Sequence, residues 1–269
     1  GKVWLRVPST VKVFLQGHLP EMVFAKDIAI NLIGHFGSTG MLYKVIEFEG
    51  GCVSELPMDE RMVLSNMSVE MGAKAGIIAP DDTTRDAVTN ASEYGVWDLQ
   101  ADADAEYENE VVFDVSVLEP MIAIPHHVTN VKKVRDVGDI PIHQAFIGSC
   151  TGGRYSDLKT AADILKGKKV HPDIRVIVTP ASKWIWERAA REGILSVLSE
   201  AGTVIMNPSC GPCGGAQGGL IGSGEVCIAA SNRNFKGRMG STDSEVYLGS
   251  PATVAASAIR GKITDPRAL

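Results

Sequence analysis

The chain is 269 residues long, 45% hydrophobic and 22% charged, a composition that fits a globular protein with a large buried core in about one or two domains. Lys+Arg 26 against Asp+Glu 32 leaves a net charge of −6 with no basic stripe or block, which removes the phosphate attraction that nucleic acid and anionic membrane surfaces require. Uninterrupted apolar runs fall short of the ~20 residues of a membrane span, and the opening Gly1-Lys2-Val3-Trp4-Leu5-Arg6 lacks the n- and h-regions of a signal peptide, so a cytoplasmic protein with no nucleic-acid or membrane partner is expected.

In chain order, short β-branched runs alternate with helical patterns. Val11 to Leu15 reads as a strand, and Asp27 to Phe36 places Ile28, Leu32, Ile33 and Phe36 near one helical face. Tyr43 to Phe48 is a second strand, closed by Gly50-Gly51. Pro57 to Met71, with proline near its start and Gly72 just past its end, carries the punctuation of a helix. Gly76 to Pro80 reads as a short buried strand, with Asp82 or Thr83 as the cap of the next helix. Asp98 to Glu110 is acidic and poor in apolar periodicity, a solvated loop, and a strand from Val111 to Val117 follows. A second block then alternates: strand Ala145 to Ile147, helix Ser156 to Leu165, strand Ile174 to Val178 and helix Ser182 to Arg191. Strands Thr203 to Met206 and Glu225 to Ile228 come next, then a helix with Ser250 as N-cap, Pro251 at its first position and Gly261 at its end. This alternation predicts βαβ units and an α/β fold of two domains, residues 1–117 and 118–269.

Five cysteines without a secretory signal argue against a disulfide framework and for buried, catalytic or metal-binding thiols. Cys52 follows a glycine turn and Cys227 lies inside the apolar Val226-Cys227-Ile228, settings of buried or incidental thiols. Cys150, in Gly148-Ser149-Cys150-Thr151-Gly152-Gly153-Arg154, ends a strand just before a helix, the sheet edge where ligands gather. Cys210 and Cys213 sit in Pro208-Ser209-Cys210-Gly211-Pro212-Cys213-Gly214-Gly215. Structural zinc wants four closed ligands, usually from two paired motifs, and the chain has one C-x-x-C. A thiol-disulfide oxidoreductase places its C-x-x-C at the opening of a helix, for which Gly-Gly-Ala-Gln-Gly-Gly is a poor start. A 4Fe-4S cluster on three thiolates leaves one iron open to substrate as a Lewis acid. Spacing alone leaves the last two readings open.

Ser231 to Arg238, Ser-Asn-Arg-Asn-Phe-Lys-Gly-Arg, puts two arginines and two asparagines in one loop, and guanidinium forks suit a di- or tricarboxylate. Here the sequence resembles the large subunit of the aconitase superfamily, of the 3-isopropylmalate dehydratase and homoaconitase type. The motifs are Gly-Ser-Cys-Thr-x-Gly-Arg at 148–154, Asn-Pro-x-Cys-x-x-Cys at 207–213, Ser-Asn-Arg-Asn-Phe-x-Gly-Arg at 231–238 and Tyr247-Leu248-x-Ser250-Pro251-Ala252. The resemblance implies two aconitase-like α/β/α domains and a 4Fe-4S cluster on Cys150, Cys210 and Cys213. It implies Arg233 and Arg238 as carboxylate clamps and Asn232 as a hydrogen-bonding group near cluster or substrate. It also draws in Asn66-Met67-Ser68-Val69-Glu70-Met71-Gly72-Ala73, where Asn66 and Glu70 share a helix face. Asn66 is then implied beside the cluster, and Glu70 in proton transfer or water positioning. The implied reaction is that of a hydro-lyase moving a hydroxyl between neighbouring carbons of a hydroxy acid with two or three carboxylates.

Two features depart from the family pattern. Position 152 is Gly where most members have Asn, which predicts altered tuning beside Cys150. The family's upstream Asp-His pair, cluster-side His and Asp-Ser-His-Thr segment have no counterpart, so the chain reads as the second and third domains of a larger polypeptide. A missing N-terminal domain and a small swivelling-domain subunit are the implied partners. The alternatives are a thiol-disulfide oxidoreductase on Cys210 and Cys213 and a cluster-free RNA-binding regulatory relative, the latter disfavoured by the charge of −6.

Overall fold

The first sheet grows from one alternating strand. In the computed structural model, which describes residues 1–89 and 99–269, β1 (Thr10–Gln16) buries Val11, Val13 and Leu15 and turns Phe14 and Gln16 outward, the period-2 signature of a sheet covered on one face. Then come α1 (Ala25–Phe36), β2 (Val45–Glu49), α2 (Gly51–Glu55), α3 (Met58–Met67) running into a 3-10 turn (Ser68–Met71), β3 (Ala75–Ile77), α4 (Asp82–Thr89) and β4 (Asn109–Asp114). The strands pair in parallel in the order β3-β2-β1-β4. Ile28, Leu32 and Ile33 of α1 join Val63 and Leu64 of α3 in the core with the buried residues of β1.

Several local expectations need correction. The strand expected to be buried over Gly76–Pro80 is β3, which among the described residues pairs only with β2, as an edge strand, and leaves Ile77 48% exposed. The cap of α4 is Asp81, whose Oδ1 accepts from Thr84 N at 3.1 Å. Buried Arg61 grips both Asp81 oxygens at 2.6 and 2.8 Å, holding that carboxyl down to about 2. The expected acidic loop begins at Asp98, outside the described residues, and residues 99–108 form neither helix nor strand. The strand expected to reach Val117 stops at Asp114, whose Oδ1 accepts from Ser116 N at 2.9 Å and turns the chain into a 3-10 turn.

The second sheet contains β5 (Met121–Ala123), β6 (Val131–Lys133), β7 (Gln144–Gly148), β8 (Arg175–Thr179), β9 (Val204–Ile205), β10 (Val226–Ala229) and β11 (Glu245–Gly249). Its order is β6-β5-β11-β10-β7-β8-β9, with β5 and β6 antiparallel and the rest parallel. Central β7 is buried at every residue, as a parallel strand covered on both faces must be. The remaining helices are α5 (Tyr155–Leu165), α6 (Lys183–Arg191), α7 (Ile194–Ala201) and α8 (Pro251–Arg260), and they share a core with Ala145, Ile147 and Val176. On the opposite face Phe146, Cys227, Ala229 and Leu248 join the core that contains α1, so α1 serves both sheets. The start and end of α8 are those expected: Ser250 caps Thr253 N, Pro251 stands at its first position, and Gly261 closes it at φ 77°. Among the described residues no helix is long and apolar enough to cross a membrane.

Buried carboxyls stand where α1 meets the second sheet. Asp27 accepts from Phe24 N at 2.9 Å and from Met121 N at 2.8 Å, capping its own helix while fixing the start of β5. Glu60 of α3 accepts from Ala25 N at 2.6 Å, and Asp157 of α5 from Arg154 N at 2.8 Å. Burial pushes Asp27 up to about 7, Glu60 to about 8 and Asp157 to about 6. The native state therefore keeps the Glu60 proton from the ordinary carboxyl value of 4.5 up to about 8, and stability falls as pH rises through that window. Glu60→Gln keeps an acceptor for Ala25 N, and its melting temperature is expected to gain progressively on the parent across that window. Parallel pH–stability curves would show that Glu60 titrates alike in folded and unfolded chains.

Backbone packing also fixes the loop after β7. A Cβ at Gly152 would lie 2.4 Å from both the Cβ and the carbonyl oxygen of Ala230. The departure at position 152 is thus one of space: Ala230 fills the volume that an asparagine would need. Gly152→Asn is expected to cost about 1–3 kcal/mol by overpacking, measured as a lower melting temperature; an unchanged melt would contradict this close approach.

Candidate active site

The chain runs from β7 to β8 and β9 on one side, then returns to lay β10 and β11 on the other side of β7. Loops leaving β7 and β10 therefore diverge, and the crevice between them at the carboxyl ends of the strands is where open α/β sheets bind ligands. Ser149 to Arg154 follows β7, Ala230 to Arg238 follows β10, and Cys210 and Cys213 lie in the loop after β9. The end of α3, with its 3-10 turn, brings Asn66 and Glu70 from the first half of the chain.

Five of the expected site residues meet there in two linked groups. Asn232 Nδ2 donates to Asn66 Oδ1 at 2.7 Å and approaches Cys150 Sγ at 3.6 Å, while the Cys150 thiol donates to Asn66 Oδ1 at 3.5 Å. Thr151 Oγ1 donates to Asn232 Oδ1 and orients that amide. One residue along, Arg233 Nε donates to Glu70 Oε1 at 2.8 Å, and the Glu70 side chain is only 5% exposed. Neighbours in the extended loop thus pair with residues four apart in α3 and its 3-10 extension. Asn234 turns away: it is buried and its Nδ2 donates to Ile124 O at 2.9 Å, anchoring the loop. Arg238 Nε donates to Cys213 O at 2.7 Å, tying this loop to the cysteine turn.

The cysteines separate by environment. Cys210 is exposed, Cys150 half-buried and Cys213 buried, whereas Cys52 and Cys227 are buried in the core and burial pushes their thiols up to about 11 and about 12. All five are free. Cys210 immediately precedes, and Cys213 lies within, a 3-10 turn, Gly211–Gly214, that ends at Gly215 in the left-handed region. No α-helix opens behind Cys210, so the helix N-terminus that lowers a thiol pKa in thioredoxin-like sites is missing. Gly211 holds the turn against the sheet: at φ +56°, a Cβ would come within 2.9 Å of the Phe146 ring and Thr179 Oγ1.

Among the described residues no three His, Cys, Asp or Glu side chains are close enough for a single metal ion. A 4Fe-4S cluster asks for a wider set, because each thiolate meets its own iron. The donor set fits that demand: thiols on two separate loops at one sheet edge, with a buried, unpartnered hydroxyl at Ser149. A buried ammonium, Lys26, lies within electrostatic reach of Cys150 and Cys213.

Lys26 is the site residue that sequence reasoning missed. Its Nζ donates to Thr151 Oγ1 at 2.8 Å, Ala230 O at 2.9 Å and Ser231 O at 2.8 Å, joining α1 to both crevice loops. A signal was present: Lys26 precedes Ala29, Ile30 and Ile33 on a buried stripe of α1, at an N-terminal turn where a cation is disfavoured.

The chain is 51% identical over 267 residues to the 3-isopropylmalate dehydratase large subunit 1 of Methanopyrus kandleri, covering 99% of this chain and 64% of that one. It is 48% identical over 268 residues to the 3-isopropylmalate dehydratase large subunit 2 of Archaeoglobus fulgidus, with the same coverage. With the probable methanogen homoaconitase large subunit of Methanosarcina mazei it shares 47% over 269 residues, all of this chain and 68% of that one. The chain thus spans about 64% of the length of the first two of these curated relatives. The solved holo-form of Thermococcus kodakaraensis aconitase X aligns at a TM-score of 0.47 and 14% identity, over 88% of this chain and 53% of that one, a likeness too distant to carry an inference. Residues 1–261 match the model of the aconitase family (aconitate hydratase), and the chain belongs to that family.

Proposed function

We propose that this chain is the cluster-bearing part of a hydro-lyase that dehydrates and rehydrates 2- or 3-hydroxy acids with two or three carboxylates, of the 3-isopropylmalate dehydratase or homoaconitase type. The observation that carries the reading is the convergence of Cys150, Asn66 and Asn232 at the β7/β10 crevice with the Arg233–Glu70 pair beside them. Cys150, Cys210 and Cys213 would hold a 4Fe-4S cluster. When bound, its open iron supplies a Lewis acid for a hydroxyl and a carboxylate, so no redox change is needed.

The chain's own residues do the rest. Arg233 spends Nε on Glu70 and Arg238 spends Nε on the Cys213 carbonyl, which leaves the Nη fork of each to bind a substrate carboxylate. The Arg233 bond orients Glu70 through Oε1, leaving Oε2 to accept a proton from water and return it. Asn66 and Asn232 fix each other by hydrogen bond and present amide groups beside Cys150. The two sheets support a division into domains at 117/118, the second carrying the cysteines. A small swivelling-domain subunit and an N-terminal domain of the same polypeptide would complete the site, and a cytoplasmic location suits such an enzyme.

Cysteine substitution in the full-length subunit, with its small-subunit partner, tests this reading. Cys150→Ser, Cys210→Ser and Cys213→Ser are each expected to abolish iron and sulfide uptake on anaerobic reconstitution, together with dehydratase activity. Cys52→Ala and Cys227→Ala are expected to retain the cluster, since both thiols are locked in the core. Loss of the cluster in Cys227→Ala would mean a fourth protein ligand and no open iron.

A further inference from the structure

Lys26 is 2% exposed, and its ammonium donates to three neutral acceptors, a hydroxyl and two carbonyls. A cation held this way in the first turn of a helix is costly, both for lost hydration and for the helix dipole. Burial lowers its pKa to about 8, partly offset by electrostatic attraction to Asp157, Cys150 and Cys213. Apolar packing gives no reason for it, since Ala29, Ile30 and Ile33 continue the same stripe of α1. Its contacts point in one direction: Lys26 to Thr151, Thr151 to Asn232, and Asn232 to Asn66 and Cys150.

We infer that Lys26 is a positioning residue of the site, whose ammonium fastens the Cys150 and Asn232 loops to α1 and places a positive charge within electrostatic reach of Cys150 and Cys213. The inference rests on the proposed cluster. In the wild type it holds the amide of Asn232 through Thr151, keeps the Cys150 loop in register with the end of α3, and favours the reduced, more negative state of the thiolate-bound group.

The test uses Lys26→Met, Lys26→Gln and Thr151→Val in the full-length subunit with its small-subunit partner, each reconstituted anaerobically beside the wild type. A wild type that takes up no iron overturns the cluster reading and this inference with it; a fully loaded wild type isolates the role of Lys26. Both Lys26 variants are then expected to retain iron about 10- to 100-fold more weakly, the usual effect of losing an outer partner of a metal site, and to shift the cluster midpoint potential to more negative values. Thr151→Val keeps the cation and is expected to weaken iron retention with the potential unchanged. A lysine that only braces the fold would lower the melting temperature and leave the potential of Lys26→Gln at the wild-type value, which overturns the inference. If neither Lys26 variant folds, Thr151→Val decides: weakened iron retention upholds the positioning role, and wild-type retention overturns it.

Discussion

Reversal of strand order at β7 is the constraint on which the rest depends. Parallel strands deliver all their carboxyl ends to one edge, and where the chain changes direction the outgoing loops part instead of packing together. Here the parting loops are those after β7 and β10, and polar residues collect in the gap. The site needs residues from both halves of the chain, so the relative placement of the two sheets matters as much as either sheet. That placement is set by α1, whose apolar face belongs to the core of the first sheet and of one face of the second.

The charges at this junction show what the arrangement costs. Asp27 and Asp157 satisfy backbone donors at helix starts, a favourable position for a carboxylate, yet burial raises both well above the ordinary carboxyl range. Such groups stabilise less than an apolar contact of the same size, and their value lies in direction: Asp27 fixes β5 through Met121 N, and Glu60 fixes α1 through Ala25 N. The crevice is thus framed by hydrogen bonds that tolerate little displacement. Close backbone approach at Gly152 and Gly211 leaves the cysteine loops equally little freedom.

Much of this was legible in the sequence where the physics is local. β1 follows from its alternation, and α8 from Ser250, Pro251 and Gly261. The buried state of Cys227 follows from its apolar setting. What escaped was short or long-range. The β5–β6 hairpin has three-residue strands and α2 has five residues, too few for a period to register. β11 and α7 each stand beside a stronger local signal, the Ser250-Pro251 cap and the end of α6, which masks them. The Arg233–Glu70 pair spans 163 residues and the Lys26–Thr151 bond 125, and no local pattern encodes either. The motifs named Arg233 and Glu70 separately; only the fold puts one against the other.

The central claim is that three cysteines at this crevice carry a four-iron cluster with one iron free of protein ligands. Mössbauer spectroscopy of the 57Fe-reconstituted full-length subunit with its small-subunit partner tests this most directly. The spectrum is expected to resolve one iron from the other three, and only that iron is expected to shift when a hydroxy di- or tricarboxylate is added. Four equivalent irons indifferent to the carboxylate, or no cluster at all, would contradict it.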